Sequence, residues 1–434
     1  MLSAFTQAFR TPDLRAKLLF TLGIMALFRL GSILPAPGVN LANAKQCIAA
    51  AKDQNLLSLV NVFSGGALLQ LSIFALGIMP YITASIIIQL LRVVIPRFEE
   101  LHKEGQAGTA KLTEYTRYLT IGLGLLQSST IVATAKSGRL FQNCDERIAT
   151  QIISDGSVVT LLLIIITMTA GTGLIMWLGE LITERGIGNG MSLLIFTSIV
   201  AQFPSNMFSI AGGNNGATNF AIIVAVVLLA TLAVVYIEQA QRRIPVQYAK
   251  RMIGRRQYGG STTYIPVKIN TAGVIPVIFA SSILAMPQLI AGFGNDRSAW
   301  VQWIMRNLQQ THPIYLTAYG VLILFFAFFY TAITFDAEEI ADNMKRYGGF
   351  IPGIRAGEPT VRYLSYVINR ITTAGSIYLV VLALIPTLAV IGLELSQHLP
   401  FGGTTILIMV GVGLQTVKEV NSQLQQRHYE GFLS

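Results

Sequence analysis

The chain has 434 residues, of which 53% are hydrophobic and only 12% are charged. Soluble domains carry about 25% charged residues, and disorder needs low hydrophobicity with high charge, so this composition excludes both an ordinary soluble globule and a disordered chain. The net charge is nevertheless +10, from 31 Lys/Arg against 21 Asp/Glu. An apolar chain with a basic surplus is typical of a polytopic membrane protein with basic loops.

Membrane-spanning helices are expected wherever about 20 mostly apolar residues follow one another without charge. The charge-free runs predict ten such spans, with centres near residues 26, 82, 126, 168, 195, 228, 281, 325, 382 and 410. We therefore expect an all-α polytopic membrane protein. Because an even number of spans returns the chain to the side where it began, both termini should lie on one side of the membrane.

Two of the charge-free runs are too long for a single helix. The run 186–237 has a Gly/Asn-rich middle, which predicts two spans, 187–203 and 219–237, joined by a short loop. The run 54–91 contains a glycine pair, so we expect a span at 72–91 preceded by a short re-entrant helix over roughly 57–70. Such a segment is tolerated at membrane depth only where protein or water surrounds it.

Lysine and arginine are distributed unevenly between the two sets of loops. If the N-terminus is inside, the inner segments hold 23 Lys/Arg and the outer loops hold 7. The positive-inside rule then places both termini in the cytoplasm. The remaining cation, Arg29, interrupts the first apolar run, which argues against a cleaved signal peptide. We expect Arg29 to be a structural arginine that bonds carbonyl groups or snorkels, rather than a functional one.

Reactive groups are sparse within the predicted spans. No span carries Asp or Glu in its middle, and all four histidines lie outside the spans or at their edges: His102, His312, His398 and His428. Nucleophilic, paired-carboxylate and zinc sites need such groups, so we expect neither an enzyme, including an intramembrane protease, nor a metal or cofactor. A secondary transporter is the other alternative, but ion coupling uses buried ionisable residues, and Arg29 alone is a thin basis for it.

The two cysteines, Cys47 and Cys144, both fall in predicted outer loops. They are too few for a disulfide scaffold or a multi-cysteine metal site. A single disulfide can form on that side of the membrane, but nothing else in the sequence links the two loops, so we expect two free thiols.

Two inner loops, 238–270 and 336–370, are larger and more polar than most of the others. The first carries three basic pairs and then Gly259-Gly260, a turn surrounded by Val, Tyr and Thr, which predicts a protruding β-hairpin. One short basic cluster would suffice to set topology, so loops of this length favour docking sites for a large cytosolic partner. Paired arginines suit phosphate backbones as well as acidic protein faces. Uncharged polar residues in the spans fit either helix–helix hydrogen bonds or an aqueous pathway.

Four stretches of sequence carry a resemblance to a known family. They read FSGGA and SIFALGIMPYI within 63–82, WLGELITERGIGNGMS at 177–192, GVIP and FASS within 273–282, and PGIRAGE at 352–358. Together they resemble the SecY family, the pore-forming subunits of the bacterial protein-export channel, and the resemblance extends over essentially the whole chain.

The resemblance implies ten helices in two pseudo-symmetric halves, 1–205 and 206–434, which form a clamshell around a central pore with segment 57–70 as its plug. The implied function is to conduct unfolded secretory polypeptides across the cytoplasmic membrane and to release hydrophobic segments sideways into lipid. A lateral gate would lie between spans two and three and spans seven and eight. The implied partners are SecE and SecG, the SecA ATPase, the ribosome, secretory and membrane proteins with signal sequences, and the phospholipid bilayer.

The resemblance also carries roles onto individual residues. An apolar pore ring is implied at Ile82, Ile86, Met191, Ile195, Ile278 and Ile408, where Met191 stands in place of a commoner isoleucine. The plug is implied at Phe63, Ser64, Gly65, Gly66 and Ala67, and the lateral gate at Gln127. Contacts with SecA or the ribosome are implied at Arg242, Arg243, Arg255, Arg256, Arg355 and Tyr429. Within the ring, Ile82/Ile86 and Met191/Ile195 are spaced i,i+4, so each pair should face one direction.

Overall fold

The computed structural model describes residues 9–50, 64–138, 144, 148, 151–153, 155–211, 216–248, 251–253, 256–258, 262–291, 298–309, 312–392 and 403–430. Among these residues the helices are α1 Pro12–Ile33, α2 Leu41–Ala50, α3 Met79–Val94, α4 Pro96–Lys103, α5 Gln106–Lys136, α6 Val158–Arg185, α7 Gly190–Ala211, α8 Gly216–Gln239, α9 Ile275–Ala291, α10 Ala299–Asn307, α11 Pro313–Thr334, α12 Ala337–Arg346, α13 Glu358–Gly392 and α14 Gly403–Glu430. The strands are β1 Gln241–Tyr248, β2 Arg251–Ile253, β3 Arg256–Tyr258, β4 Thr262–Lys268 and β5 Gly349–Phe350.

All ten predicted span centres fall within helices, namely α1, α3, α5, α6, α7, α8, α9, α11, α13 and α14. Six helices of the described chain are long and apolar enough by themselves to cross a membrane. Helices α3 and α4 pass the same test together but are bent by 100° at the break between them, and the apolar stretches Gly190–Pro204 and Ile275–Gln288 are shorter. The predicted all-α polytopic class is confirmed, with spans of unequal length.

The second predicted span, 72–91, begins later than expected. Residues 64–78, which we call the turn segment, form consecutive turns, and α3 starts only at Met79. Gly77 has a φ of +56°, a left-handed conformation that ends any helical path at that point. Pro80 then occupies the first turn of α3, where its missing N–H costs no hydrogen bond. Of the re-entrant helix predicted over 57–70, residues 64–70 belong to these turns and 57–63 lie outside the described residues.

The helices of the first half of the chain meet those of the second half along two seams. On one seam α9 packs against α3 and α5. On the other, α7 packs against α8 and α14. Within the halves, α5 packs on α3 and α6, and α11 packs on α9 and α13. One continuous hydrophobic core contains side chains from both halves and from the turn segment.

The two large inner loops fold together into one unit outside the helical core. Strand β1 pairs antiparallel with β4 on one side and with β5, from the second loop, on the other. The predicted β-hairpin is therefore confirmed, and Gly259-Gly260, to which its turn was assigned, lie outside the described residues. Strands β2 and β3 also pair antiparallel, with Ile253 opposite Arg256, and continue the register of β1 and β4.

The outer segments that carry the two cysteines lie against each other. Cys47 and Cys144 are joined by a disulfide, so the prediction of two free thiols is wrong. The neighbouring backbones also pair, because the Asn40 N–H donates to the Ile152 carbonyl oxygen at 2.7 Å. The sequence held no signal for this contact, since the two cysteines are 97 residues apart and are brought together by the packing of the spans.

Thiol labelling tests the disulfide directly. We expect maleimide to label neither cysteine of the unfolded, unreduced protein and both after reduction. The variant Cys47→Ser should leave a reactive thiol at Cys144 and lower the free energy of unfolding by about 2–4 kcal/mol, as is typical for loss of a native disulfide. Labelling of both cysteines before reduction would contradict the bond.

Candidate functional site

The turn segment is buried among the helices although it is not itself helical. It pairs with the chain that follows α1: the Ala36 N–H donates to the Leu71 carbonyl at 2.9 Å, and the Ile73 N–H donates to the Leu34 carbonyl at 3.0 Å. Buried backbone groups need such partners, and at membrane depth the protein itself must supply them. The segment is thus anchored at its middle by backbone hydrogen bonds to a neighbouring piece of chain.

Helices α1 and α6 approach the turn segment so closely that glycine is required at the contacts. Gly31 of α1 faces the ring of Phe74, and Gly171 of α6 faces the carbonyl of Ile73; a Cβ atom at either glycine would collide with that partner. The ring of Phe28 stacks on Phe74 with centroids 5.9 Å apart. The wall around the segment is therefore matched in shape to its backbone and not merely apolar.

Arg29 of α1 bonds the turn segment directly. Its Nη1 donates to the carbonyl oxygen of Gly65 at 2.6 Å, so the expectation of a carbonyl-bonded arginine is confirmed. Gly65 has a φ of +69°, and a Cβ there would lie 3.0 Å from Arg29 Nη1 and 3.3 Å from Ser198 Cα on α7. At Gly66, whose φ is +87°, a Cβ would lie 3.1 Å from Nε2 of Gln202 on the same helix.

The structure describes four of the five residues predicted for the plug. Ser64, Gly65 and Ala67 are buried and Gly66 is partly buried, while Phe63 lies outside the described residues. Residues 64–67 therefore occupy a narrow groove bordered by α1 and α7.

The six residues predicted for the pore ring come from four helices: Ile82 and Ile86 from α3, Met191 and Ile195 from α7, Ile278 from α9, and Ile408 from α14. The five isoleucines are buried, and Met191 is partly buried and packs against the same core. Both i,i+4 pairs, on α3 and on α7, pack into this core. All six thus line one continuous apolar region that also contains the turn segment.

The start of α7, which carries Met191 and Ile195, is positioned by close contact with α6. A Cβ at Gly190 would collide with the carbonyl oxygen of Gly179. A Cβ at Gly179 would in turn lie 2.5 Å from the Met191 sulfur. The Gly190 N–H also donates to Thr183 Oγ1 of α6 at 2.9 Å, which further fixes the start of α7.

Gln127, the predicted lateral-gate residue, is 7% exposed and lies on α5, which borders the seam with α9. Many polar side chains near this seam bond backbone carbonyls of their own helix. Ser281 and Ser282 both donate to the Ile278 carbonyl at 2.8 Å. Ser128 donates to the Leu125 carbonyl of its own helix and also bonds Thr169 of α6, each at 3.1 Å. These hydroxyl groups therefore form hydrogen bonds within a helix or between helices, as uncharged polar residues of spans often do.

We name the unit formed by β1, β4, β5, α12 and the start of α13 the inner-loop platform. Its own apolar core consists of Ile244, Val246, Val267, Met344, Ile351, Leu364, Val367 and Ile368. Helix α12 is capped by Asp336, whose Oδ1 accepts from the Glu338 N–H at 2.9 Å. The platform is therefore a folded unit and not a loose pair of loops.

Three of the predicted partner-binding residues are exposed on the platform. Arg242 and Arg243 lie on β1, and Arg355 lies in the turn before α13. The exposed Arg243 guanidinium lies over the Tyr264 ring, 5.0 Å from its centroid, in a cation–π contact. Arg256 lies in β3 and Tyr429 in the last turns of α14, and Arg255 lies outside the described residues.

In two contacts, the partner residues were not expected from the sequence. The Arg29 bond to Gly65 joins positions 36 residues apart, and its sequence signal was the single charge in an apolar run. Arg117 of α5 forms a bidentate pair with Glu180 of α6, at 2.9 and 2.8 Å. This ion pair joins the inner ends of two neighbouring spans. The only sign of it in the sequence was the opposite charge of the two residues at those ends.

Across the described residues, no group of three or more His, Cys, Asp or Glu side chains has an arrangement that could hold a metal ion.

Comparison with known proteins identifies the family. The family model described as SecY matches residues 72–417. A curated protein translocase subunit SecY from Streptomyces galbus is 62% identical over the full length of both chains. The corresponding protein of Mycobacterium tuberculosis is 56% identical, again over the full length of both.

Solved structures share the fold at lower identity. A structure described as that of a protein conducting channel superposes with a TM-score of 0.62 at 20% identity, covering 94% of this chain and 91% of that one. The Sec61 chain of a canine ribosome-channel complex from the endoplasmic reticulum superposes with a TM-score of 0.60 at 18% identity, with the same coverage. These likenesses establish the helical architecture.

The glycine contact between α6 and α7 makes a stability prediction. We expect Gly190→Ala to lower the free energy of unfolding by about 1–3 kcal/mol, because the added Cβ must push the start of α7 away from Gly179. Thermal unfolding in detergent measures the change. Gly173→Ala in α6 is the matched control, since nothing lies within 4 Å of a Cβ there. Equal unfolding midpoints for the two variants would show that the contact does not position α7.

Proposed function

The chain belongs to the SecY family, and from this membership we propose that it is the channel subunit of a protein translocase. It is a channel and not an enzyme. It conducts unfolded secretory polypeptides across the cytoplasmic membrane and releases hydrophobic segments sideways into lipid. The chain is a multi-pass membrane protein, and the excess of Lys/Arg in its inner segments supports cytoplasmic termini.

The burial of a non-helical segment among spanning helices is the observation that carries this proposal. Irregular backbone at membrane depth is tolerated where it is enclosed by protein or lines a cavity. The described part of the predicted plug, residues 64–70 of the turn segment, is mostly apolar, contains two glycines and accepts a hydrogen bond from Arg29 at Gly65. These features suit a plug that fills a pore when closed and moves when a polypeptide enters.

The apolar ring explains how such a pore can exclude ions while closed and still let polypeptides of any sequence pass. A collar of six aliphatic and thioether side chains disfavours water and ions while it is closed. It offers no charge or strong hydrogen-bonding group that would hold a passing polypeptide. Met191 suits this role, because an unbranched thioether adapts its shape to different neighbours.

The two seams support a clamshell arrangement of halves 1–205 and 206–434. We assign the lateral gate to the seam of α3 and α5 with α9, on which α11 packs, and Gln127 lies on α5 beside this seam. The opposite seam, at α7, α8 and α14, is where the chain passes from one half to the other, so it serves as the hinge. Opening the first seam about the second would connect the pore to lipid.

The inner-loop platform supplies the docking surface for partners that provide energy. SecA or the ribosome would bind there, through Arg242, Arg243, Arg255, Arg256 and Arg355, with Tyr429 contributing from the tail. Exposed guanidinium groups can bind phosphate backbones or carboxylates in a bidentate manner, so one surface can serve both partners. SecE and SecG would complete the channel within the membrane, and secretory and membrane proteins with signal sequences are its substrates.

Polar substitutions in the ring test the pore directly. We expect Ile86→Asn or Ile278→Asn to raise the resting ion conductance of proteoliposomes by about tenfold or more, because an amide side chain hydrates the collar. Ile290→Asn is the matched control, since Ile290 lies on α9 with Ile278 but is 56% exposed on the outer surface of the helices. Conductance that stays at the control level in both ring variants would contradict a ring at these positions.

A further inference from the structure

We propose that Arg29 is the latch that holds the plug in the closed channel: its guanidinium binds the backbone carbonyl of Gly65 and keeps residues 64–67 in the groove between α1 and α7. This inference rests on the proposed function, because it assumes that these residues belong to a plug. It assigns a positioning role to the one charge in the apolar run 18–34.

The hydrogen bond has the properties of a latch. Arg29 Nη1 and the Gly65 oxygen are 2.6 Å apart, and a bond from a charged donor is stronger than one between neutral groups. The acceptor lies in a turn at the start of the described part of the plug, so the bond acts on the segment that has to move and not on a fixed helix. Arg29 itself is carried by α1, which is packed against α6 and α7.

The groove around Gly65 is built to bring the two groups together. A side chain at Gly65 would leave only 3.0 Å between its Cβ and Arg29 Nη1, and 3.3 Å to the Ser198 Cα behind it. The φ of +69° at this residue also favours glycine. The glycine backbone at position 65 and the length of the Arg29 side chain therefore bring donor and acceptor together. An arginine that only extended toward lipid headgroups would not need a glycine at position 65.

The latch is also reversible on physical grounds. A guanidinium at membrane depth needs a partner, and in the closed channel the Gly65 carbonyl supplies one. When a polypeptide displaces the plug, water that enters the pore can solvate the same group. The bond therefore favours the closed state without making opening prohibitive, as a two-state element requires.

Substitution of Arg29 should shift the channel toward the open state. We expect Arg29→Met to raise the resting efflux of iodide from proteoliposomes by about tenfold, which corresponds to about 1.4 kcal/mol in the closed–open equilibrium. Arg29→Lys should restore much of the closure, because an ammonium can also donate to a carbonyl. Leu30→Met is the matched control, since this neighbour is 60% exposed and points away from the groove.

Hydrogen exchange gives a readout of the plug itself. Leu68 is fully buried, and its N–H donates to Ser64 Oγ within the segment at 3.2 Å, so release of the segment into water would expose this N–H to exchange. In Arg29→Met, exchange in a peptide covering residues 64–72 should accelerate about tenfold, with peptides from α13 unchanged as evidence of an intact fold. Unchanged exchange at 64–72 would overturn the latch.

A deletion of residues 60–67 separates the latch from the plug assignment. If Arg29 acts through the plug, Arg29→Met should add nothing to the efflux of the deletion variant. Additive increases would overturn the latch while leaving the plug intact. A deletion variant that stays as tight as the unmodified channel would instead overturn the plug assignment, and the latch with it.

Discussion

Every backbone N–H and carbonyl at membrane depth needs a partner within the protein, because hydrocarbon offers none. Helices meet this constraint internally. Residues 64–78 do not form a helix, so they meet it partly through their own turns, such as the Ser72 N–H bond to the Ala67 carbonyl at 3.1 Å, and partly through groups outside the segment. Hydrogen bonds from the chain after α1, the Arg29 guanidinium and glycine contacts from α1 and α6 together enclose them. The rest of the bundle is arranged around this enclosed, irregular piece of backbone.

The interactions proposed to close the channel lie in a different part of the molecule from those proposed to bind the partners that drive transport. We propose that closure relies on apolar packing, in the predicted ring and around the turn segment, and on hydrogen bonds that can be exchanged for water. Charges that can bind partners lie instead on the inner-loop platform, where strands from two distant loops pair. We therefore expect the nearly uncharged membrane interior to keep the channel closed and the basic inner surface to bind partners.

Much of the fold could be predicted from the sequence, because lipid imposes charge-free runs that mark helices and basic loops that mark the inner side. The start of α3 at Met79 could not be predicted, because an apolar run has the same sequence pattern whether it forms a helix or a series of turns. The Cys47–Cys144 bond and the partner of Arg29 depend on contacts between distant segments. The ring positions came from family resemblance, and burial alone does not distinguish them from other core residues.

The central claim is that an unfolded polypeptide passes through the apolar ring. The most direct test is cross-linking from Ile86→Cys to a secretory chain that carries one cysteine and is arrested during transport. We predict an adduct from Ile86→Cys that forms only with the arrested chain. We predict none from Ile290→Cys, since Ile290 is exposed on the outer surface of the helices. Equal cross-linking from both positions, or none from Ile86→Cys while transport proceeds, would contradict it.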